Sequence, residues 1–256
     1  MNSITNARAV RANGWVVDRP RRTPPAHRLF CLPWAGGNST AYTSWQDAFG
    51  GTVEVCPIEL PGRRRRWAQD PFDRLDPLVN ALATAVSGEL GGRWSLFGHS
   101  MGALVAFELA RTLRRRGEGR PETLFVSAGP APQLPRPQPW VHDQPDSVVV
   151  ARLRALGGLP AELDTAPELM ELLLPAIRAD FAVCETYAHR PESPLDCPIV
   201  AFSGAGDAEV PPERVEQWRS QTTAGFDHHV LPGGHFMINT ERDGVLAVVR
   251  ERLAAG

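Results

Sequence analysis

Trp94-Ser95-Leu96-Phe97-Gly98-His99-Ser100-Met101-Gly102-Ala103 is the stretch from which the fold can be read. Trp94–Phe97 is a short apolar run of strand character. It leads without a spacer into Gly98–Gly102, a G-x-S-x-G pattern. Ala103–Arg116 then has helical spacing and ends at Gly117, with Arg114, Arg115 and Arg116 in the last turn, where cations suit the helix dipole. In a chain of 256 residues with 23 glycines, chance supplies the pattern about 0.09 times, so its context carries the weight. A strand-turn-helix elbow forces its middle residue into a strained backbone conformation. The flanking glycines are needed because side chains there would clash, and the hydroxyl projects at the helix N-terminus. The plain alternative is a helix N-cap serine after a glycine turn.

Outward from the elbow, apolar runs of strand length alternate with helical patterns. His27–Leu32 ends at Pro33, and Val53–Leu60 is stopped by Pro61-Gly62. Thr123–Ser127, Pro198–Ser203 and Asp227–Leu231 follow, and Trp15-Val16-Val17 is a candidate short first strand. Helical spacing marks Pro77–Leu90, Pro212–Gln221 and Arg242–Leu253. The alternation predicts an α/β fold with a mostly parallel sheet covered on both faces. Between Gln133 and Arg190 the rhythm breaks. Pro135, Pro137, Pro139 and Pro145 open the segment, two helical patterns follow (Ser147–Leu156 and Pro167–Tyr187), and no strand is found. The expected organisation is a partly ordered N-terminal extension (1–25), a core built from 26–132 and 191–256, and a helical lid insertion (133–190). The alternative is one more βα unit with long helices.

Composition removes several chemistries. The chain has 27 basic and 29 acidic residues, a net charge of −2, and every basic residue is arginine. Without lysine there is no Walker-type phosphate loop, pyridoxal-phosphate Schiff base or Ser–Lys dyad. The near-neutral balance gives no support for nucleic-acid binding. Cys31, Cys56, Cys184 and Cys197 show no C-x-x-C spacing, which argues against zinc. Met1–Arg22 lacks the apolar centre of a signal peptide, and no apolar stretch has the length of a membrane span. A cytoplasmic monomer is the default expectation.

A serine nucleophile needs a base, and the base needs an orienting acid. Of seven histidines, His99 lies inside the elbow and should point away from the nucleophile. His27, His228 and His229 lie within strands, and His142 and His189 belong to the insertion. His235 remains, after Pro232-Gly233-Gly234 in the loop that follows the last strand. For the acid, Asp207 follows a late strand in Gly204-Ala205-Gly206-Asp207, with Glu209 as its rival. The order Ser100, Asp207, His235 is that of the α/β-hydrolases. An oxyanion hole would draw one backbone N–H from Met101 and a second from Ala35, in the Pro33–Gly37 loop after an early strand; the plain reading of that loop is a simple glycine turn. The run Arg63-Arg64-Arg65-Arg66 follows a strand end on the same edge. It is either a solvated face or a basic patch for an acidic partner or phosphate.

Taken together, these residues resemble the type II thioesterases of polyketide and nonribosomal peptide pathways. The resemblance is carried by Leu32–Gly37, Glu59–Arg63, Phe97–Ala103, Arg178–Phe181, Gly204–Asp207 and Gly233–Phe236, and runs from about residue 27 to the C-terminus. It implies an α/β-hydrolase fold and a stand-alone hydrolase acting on acyl groups held on the phosphopantetheine arms of acyl or peptidyl carrier proteins. Ser100, His235 and Asp207 would form the triad, with no metal or organic cofactor. Trp34 stands where the family more often has His, Tyr or Phe, which bears on pocket shape. Trp34, Arg63 and Arg64 are thus the candidate contacts to substrate or partner. The alternatives are an acyl-CoA thioesterase or small-molecule carboxylesterase of the same fold, and a non-catalytic ligand-binding homologue.

Overall fold

The computed structural model describes residues 14–17, 26–136, 139–158 and 166–254. Its centre is a six-stranded sheet in the order β2-β1-β3-β4-β5-β6, with every neighbouring pair parallel. The strands are β1 (His27–Leu32), β2 (Val53–Pro57), β3 (Arg93–His99), β4 (Leu124–Ser127), β5 (Ile199–Gly204) and β6 (Phe226–Leu231). Parallel strands covered on both faces read as continuous apolar runs, which is how β1, β4 and β5 stand in the sequence. Alternate residues serve opposite faces. Phe30, Leu96, Leu124, Val126 and Ile199 enter one apolar layer. Leu29, Cys31, Phe97, Phe125 and Phe202 enter the other.

The first layer is closed by α1 (Leu75–Val86) and α2 (Met101–Arg116). The second is closed by a stretch of 3-10 turns, Ser39–Phe49, and by α7 (Arg242–Ala254). The 3-10 stretch has no counterpart in the sequence reading. Its start is set by Asn38, whose side chain accepts from Thr40 N–H at 2.9 Å. Two shorter helices, α5 (Pro212–Glu216) and α6 (Met237–Thr240), follow β5 and β6. β2 ends three residues earlier than its apolar run because Ile58 turns to bridge Val16 in antiparallel fashion. Of the region 1–25, only 14–17 lies within the described residues.

The chain runs from β1 outward to β2, then crosses back to β3 on the other side of β1. Loops leaving β1 and β3 therefore diverge, and the crevice between them is where open α/β sheets bind ligands. Leu32 pairs with Gly98 in register, so the loop after β1 and the turn after β3 leave the sheet side by side. Between β4 and β5 stand α3 (Asp146–Leu156) and α4 (Pro167–Glu185), and the described residues of 133–190 contain no strand. These two helices share a small apolar cluster of their own, built from Val149, Leu153, Met170, Leu174, Ile177 and Phe181. No described helix is long and apolar enough to cross a membrane.

Candidate active site

The turn between β3 and α2 is as tight as its glycines allow. Ser100 has φ 55° and ψ −115°, a backbone conformation that costs a side-chain-bearing residue roughly 1–3 kcal/mol. Ser100 N–H donates to Ser127 C=O at 2.7 Å, and Ala103 N–H donates to Ser100 C=O at 3.0 Å, which hold it there. A Cβ on Gly98 would stand 2.0 Å from Gly102 O, and one on Gly102 would stand 2.2 Å from Leu32 O. Neither position can carry a side chain while β1, β3 and α2 keep their packing.

His235 closes on Ser100 from the loop after β6. Its Nε2 is 3.0 Å from Ser100 Oγ, and its Nδ1 is 2.8 Å from Asp207 Oδ2. A carboxylate only accepts, so Nδ1–H donates to Asp207, and Nε2 of the neutral ring is left to accept from the serine hydroxyl. Asp207 Oδ1 accepts from Glu209 N–H and Val210 N–H, both at 3.0 Å, which fixes the carboxylate plane. Asp207 and His235 are both buried. The rival acid, Glu209, turns its carboxylate to Arg152 instead.

Five of the other histidines have partners elsewhere. His99 is fully buried, and its Nδ1 lies 2.9 Å from Ser127 Oγ. Burial, and then the nearby His235, hold its pKa well below the ordinary imidazole range. His27 meets Ser95, His142 meets Glu185, His228 lies between Ser203 and Glu216, and His229 stacks on Phe202.

The Pro33–Gly37 loop leaves β1 beside the elbow. Gly37 N–H donates to Trp34 C=O at 2.8 Å, and Gly36 takes φ 76°. Trp34 stands edge-on to His99 and Phe236, with ring centroids 5.5 and 5.2 Å apart. Trp34, Ala35, Ser100, Met101 and His235 border one cavity of about 570 Å³. That is ample for a small ligand. Leu104, Leu153, Leu156 and Phe181 give it apolar walls, so α3 and α4 close it from above the sheet edge. Arg136 and Arg214 also border it, and Arg136 Nε and Nη2 and Arg214 Nε are buried with no hydrogen-bond partner.

The arginine run is split: Arg63 and Arg66 are buried, and Arg64 and Arg65 are exposed. Arg63 is buried; its Nη1 and Nη2 meet Asp180 Oδ2 and Oδ1 at 2.9 and 2.8 Å, and Nη1 also donates to Gly37 C=O at 2.8 Å. Arg64 Nη1 donates to Ser39 Oγ at 2.7 Å and reaches Glu59 at 3.4 Å. Arg66 lies over the Trp15 ring at 3.9 Å and donates to Glu59 C=O. Burial pushes its pKa down to about 10. Arg63 and Arg66 thus spend their guanidinium groups on partners within the chain, whereas Arg64 and Arg65 remain exposed. The chain turns back after Pro61-Gly62 under a loop whose carbonyls lack strand partners, and guanidinium groups supply the donors. Asp180 stands within the Arg178–Phe181 stretch that carries the resemblance, but the sequence alone assigns it no role. Its signal was a carboxylate amid the apolar run Leu172–Val183, at a position that a helix buries.

The model of the thioesterase domain family matches residues 27–254. The chain is 40% identical over 226 residues to gramicidin S biosynthesis protein GrsT of Aneurinibacillus migulanus, covering 88% of each. It superposes on RedJ, a thioesterase from the prodiginine biosynthetic pathway of Streptomyces coelicolor, with a TM-score of 0.85 and 42% identity, over 90% of this chain and 87% of that one. It superposes on the type II thioesterase BorB from the borrelidin biosynthetic cluster with a TM-score of 0.87 and 38% identity, over 95% and 99% of the two chains. With this sheet, this elbow and these relatives, the chain belongs to the thioesterase domain family: an α/β-hydrolase that hydrolyses thioesters, among the type II thioesterases of polyketide and nonribosomal peptide synthesis.

Proposed function

We propose that the chain removes acyl groups, stalled or aberrant and short, from the phosphopantetheine arms of acyl or peptidyl carrier domains, through an acyl-enzyme on Ser100. The observation that carries this is the continuous hydrogen-bonded chain from Ser100 Oγ through His235 to Asp207, opening onto a cavity of substrate size. His235 Nε2 takes the serine proton as Oγ attacks the thioester carbonyl, and Asp207 stabilises the imidazolium. The N–H groups of Met101 and Ala35 receive the oxyanion. The C–S bond breaks, and His235 returns the proton to the departing thiol. Water activated by the same imidazole then hydrolyses the acyl-enzyme. This chemistry draws on no metal or organic cofactor.

In this reading residues 133–190 act as the lid, and the arm enters beneath α3 and α4. Arg136 and Arg214 also border that cavity. The biosynthetic pathways of GrsT, RedJ and BorB support a carrier-bound substrate. A cytoplasmic monomer is part of the same proposal. The strained backbone of Ser100 speaks against a purely ligand-binding role, since an N-cap serine needs no positive φ.

The test is release of propionyl groups from a loaded carrier domain, followed by intact mass spectrometry. Ser100→Ala should lower the rate at least ~1000-fold with the melting temperature unchanged. Turnover near wild type would remove Ser100 as nucleophile. Cleavage of acyl-CoA or simple esters in preference to the carrier would move the assignment to those substrates.

A further inference from the structure

Asp180 lies on α4, within the inserted segment, yet its carboxylate engages the loop after β1. Oδ1 accepts from Arg63 Nη2 at 2.8 Å; Oδ2 accepts from Arg63 Nη1 at 2.9 Å and from Gly36 N–H at 2.8 Å. Arg63 Nη1 also donates to Gly37 C=O at 2.8 Å. Asp180 and Arg63 together grip Gly36 N–H and Gly37 C=O, the backbone groups on either side of the turn after Ala35. Those groups need gripping. Gly36 sits at φ 76°, and a Cβ on it would stand 3.2 Å from Ile177 of the same helix. Glycines restrain their own backbone least, so the aim of the neighbouring N–H depends on what holds them.

The pair is poorly explained as a source of stability. Both side chains are buried, and a buried ion pair is commonly matched or surpassed by apolar residues of similar volume. What apolar packing cannot supply is a directed acceptor for Gly36 N–H. We propose that Asp180 is a positioning residue for the oxyanion-binding loop, with Arg63 holding its carboxylate, so that helix α4 takes part in catalysis as well as covering the cavity. The proposal rests on the reading of Ala35 N–H as an oxyanion donor. It makes docking of α4 a condition for a complete oxyanion hole, and displacement of α4 would leave the triad intact but the hole half built.

The experiment compares three variants on propionyl-pantetheine, with melting temperature, kcat and KM measured for each. Arg63→Met with Asp180→Leu removes the acceptor without leaving a buried charge. It should fold, and kcat should fall ~100-fold, the loss typical of one missing oxyanion donor, with KM within about 3-fold. Asp180→Asn keeps an acceptor oxygen for Gly36 N–H and should retain kcat within ~10-fold even if it melts lower. Arg63→Asp with Asp180→Arg keeps opposite charges together but offers Gly36 no acceptor from α4, so its kcat should stay low. Inhibition by phenylboronic acid, which forms a tetrahedral adduct on an activated serine, should weaken in step with kcat. A folded Met/Leu or charge-reversed variant with kcat within 3-fold of wild type overturns the proposal. So does a series in which kcat follows melting temperature rather than the acceptor at position 180. An active Ser100→Ala would sink the catalytic reading itself. Full activity in the Met/Leu variant beside a dead Ser100→Ala would sink only the role of Asp180.

Discussion

The sheet and the inserted helices are held by different kinds of force. The six strands sit between two large apolar layers, with aromatic side chains such as Phe97, Phe125 and Phe202 packed ring against ring. The insertion has one small cluster shared by α3 and α4, and it meets the main core at its margins, through Val183 with Leu134, Cys184 and Tyr187 packed against it. Beside these it is tied by polar contacts: Asp180 to Arg63 and Gly36, Arg152 to Glu209, Tyr187 to Glu108. Apolar burial is non-directional and is lost only when whole surfaces separate. Charged and hydrogen-bonded ties hold a precise orientation, and local opening can break them one at a time. The molecule combines a rigid base that fixes Ser100 with a cover fastened by contacts suited to aiming and release.

The largest effect should come from the base. Gly102→Ala puts a Cβ 2.2 Å from Leu32 O, where only backbone can yield. It should cost upward of ~3 kcal/mol in urea unfolding. A loss under ~1 kcal/mol would mean that β1 and α2 can part, and that the base is less rigid than its packing implies. Next comes the cover. Leu153 is buried in the α3–α4 cluster. Leu153→Ala should remove roughly 2 kcal/mol of hydrogen-exchange protection from α3 and the first half of α4, leaving β3 and β4 amides unchanged. Equal loss in the strands would show one cooperative unit and break the comparison.

The smallest effect is the pH response of the sheet. Burial pushes the His27 imidazole down to about 4, so the folded chain keeps it neutral while the unfolded chain binds a proton near 6.5. Stability is therefore lost as pH falls from 6.5 towards 4, by about 1 kcal/mol from this residue at pH 5.5. His27→Gln should flatten that slope in denaturation midpoints measured between pH 8 and 5. An unchanged slope would place the acid sensitivity elsewhere, with His99 on β3 the next residue to vary.

The base was legible because its signals are local. β1 occupies the apolar run His27–Leu32 itself, and the elbow announces α2 through its two glycines. Asp207 and His235 could be chosen because strand ends in a parallel sheet share one edge, so chain order stands in for geometry. What was not legible depends on partners far apart in sequence. Arg63 reads as surface charge until Asp180, 117 residues away, is placed beside it. Ser39–Phe49 is polar by composition, and only the burial of Tyr42, Trp45 and Phe49 against the sheet gives it an ordered role. Trp34 shaped an expectation about the pocket, and its contacts come from far apart in the chain, His99 at the end of β3 and Phe236 in the loop after β6.

The short bridge between Val16 and Ile58 bears on how this protein meets others of its kind. An outermost parallel strand offers a row of unpaired backbone groups, a template on which a foreign strand can add. Beyond the end of β2, Val17 N–H donates to Pro57 C=O and Glu59 N–H donates to Trp15 C=O, while the Arg66 guanidinium lies over the Trp15 ring. Part of the edge is thus already occupied by the chain itself. At the opposite margin, β6 carries the exposed Asp227, and charge there discourages pairing by other means. The sheet that aims the nucleophile is guarded at both margins against growing by one more strand.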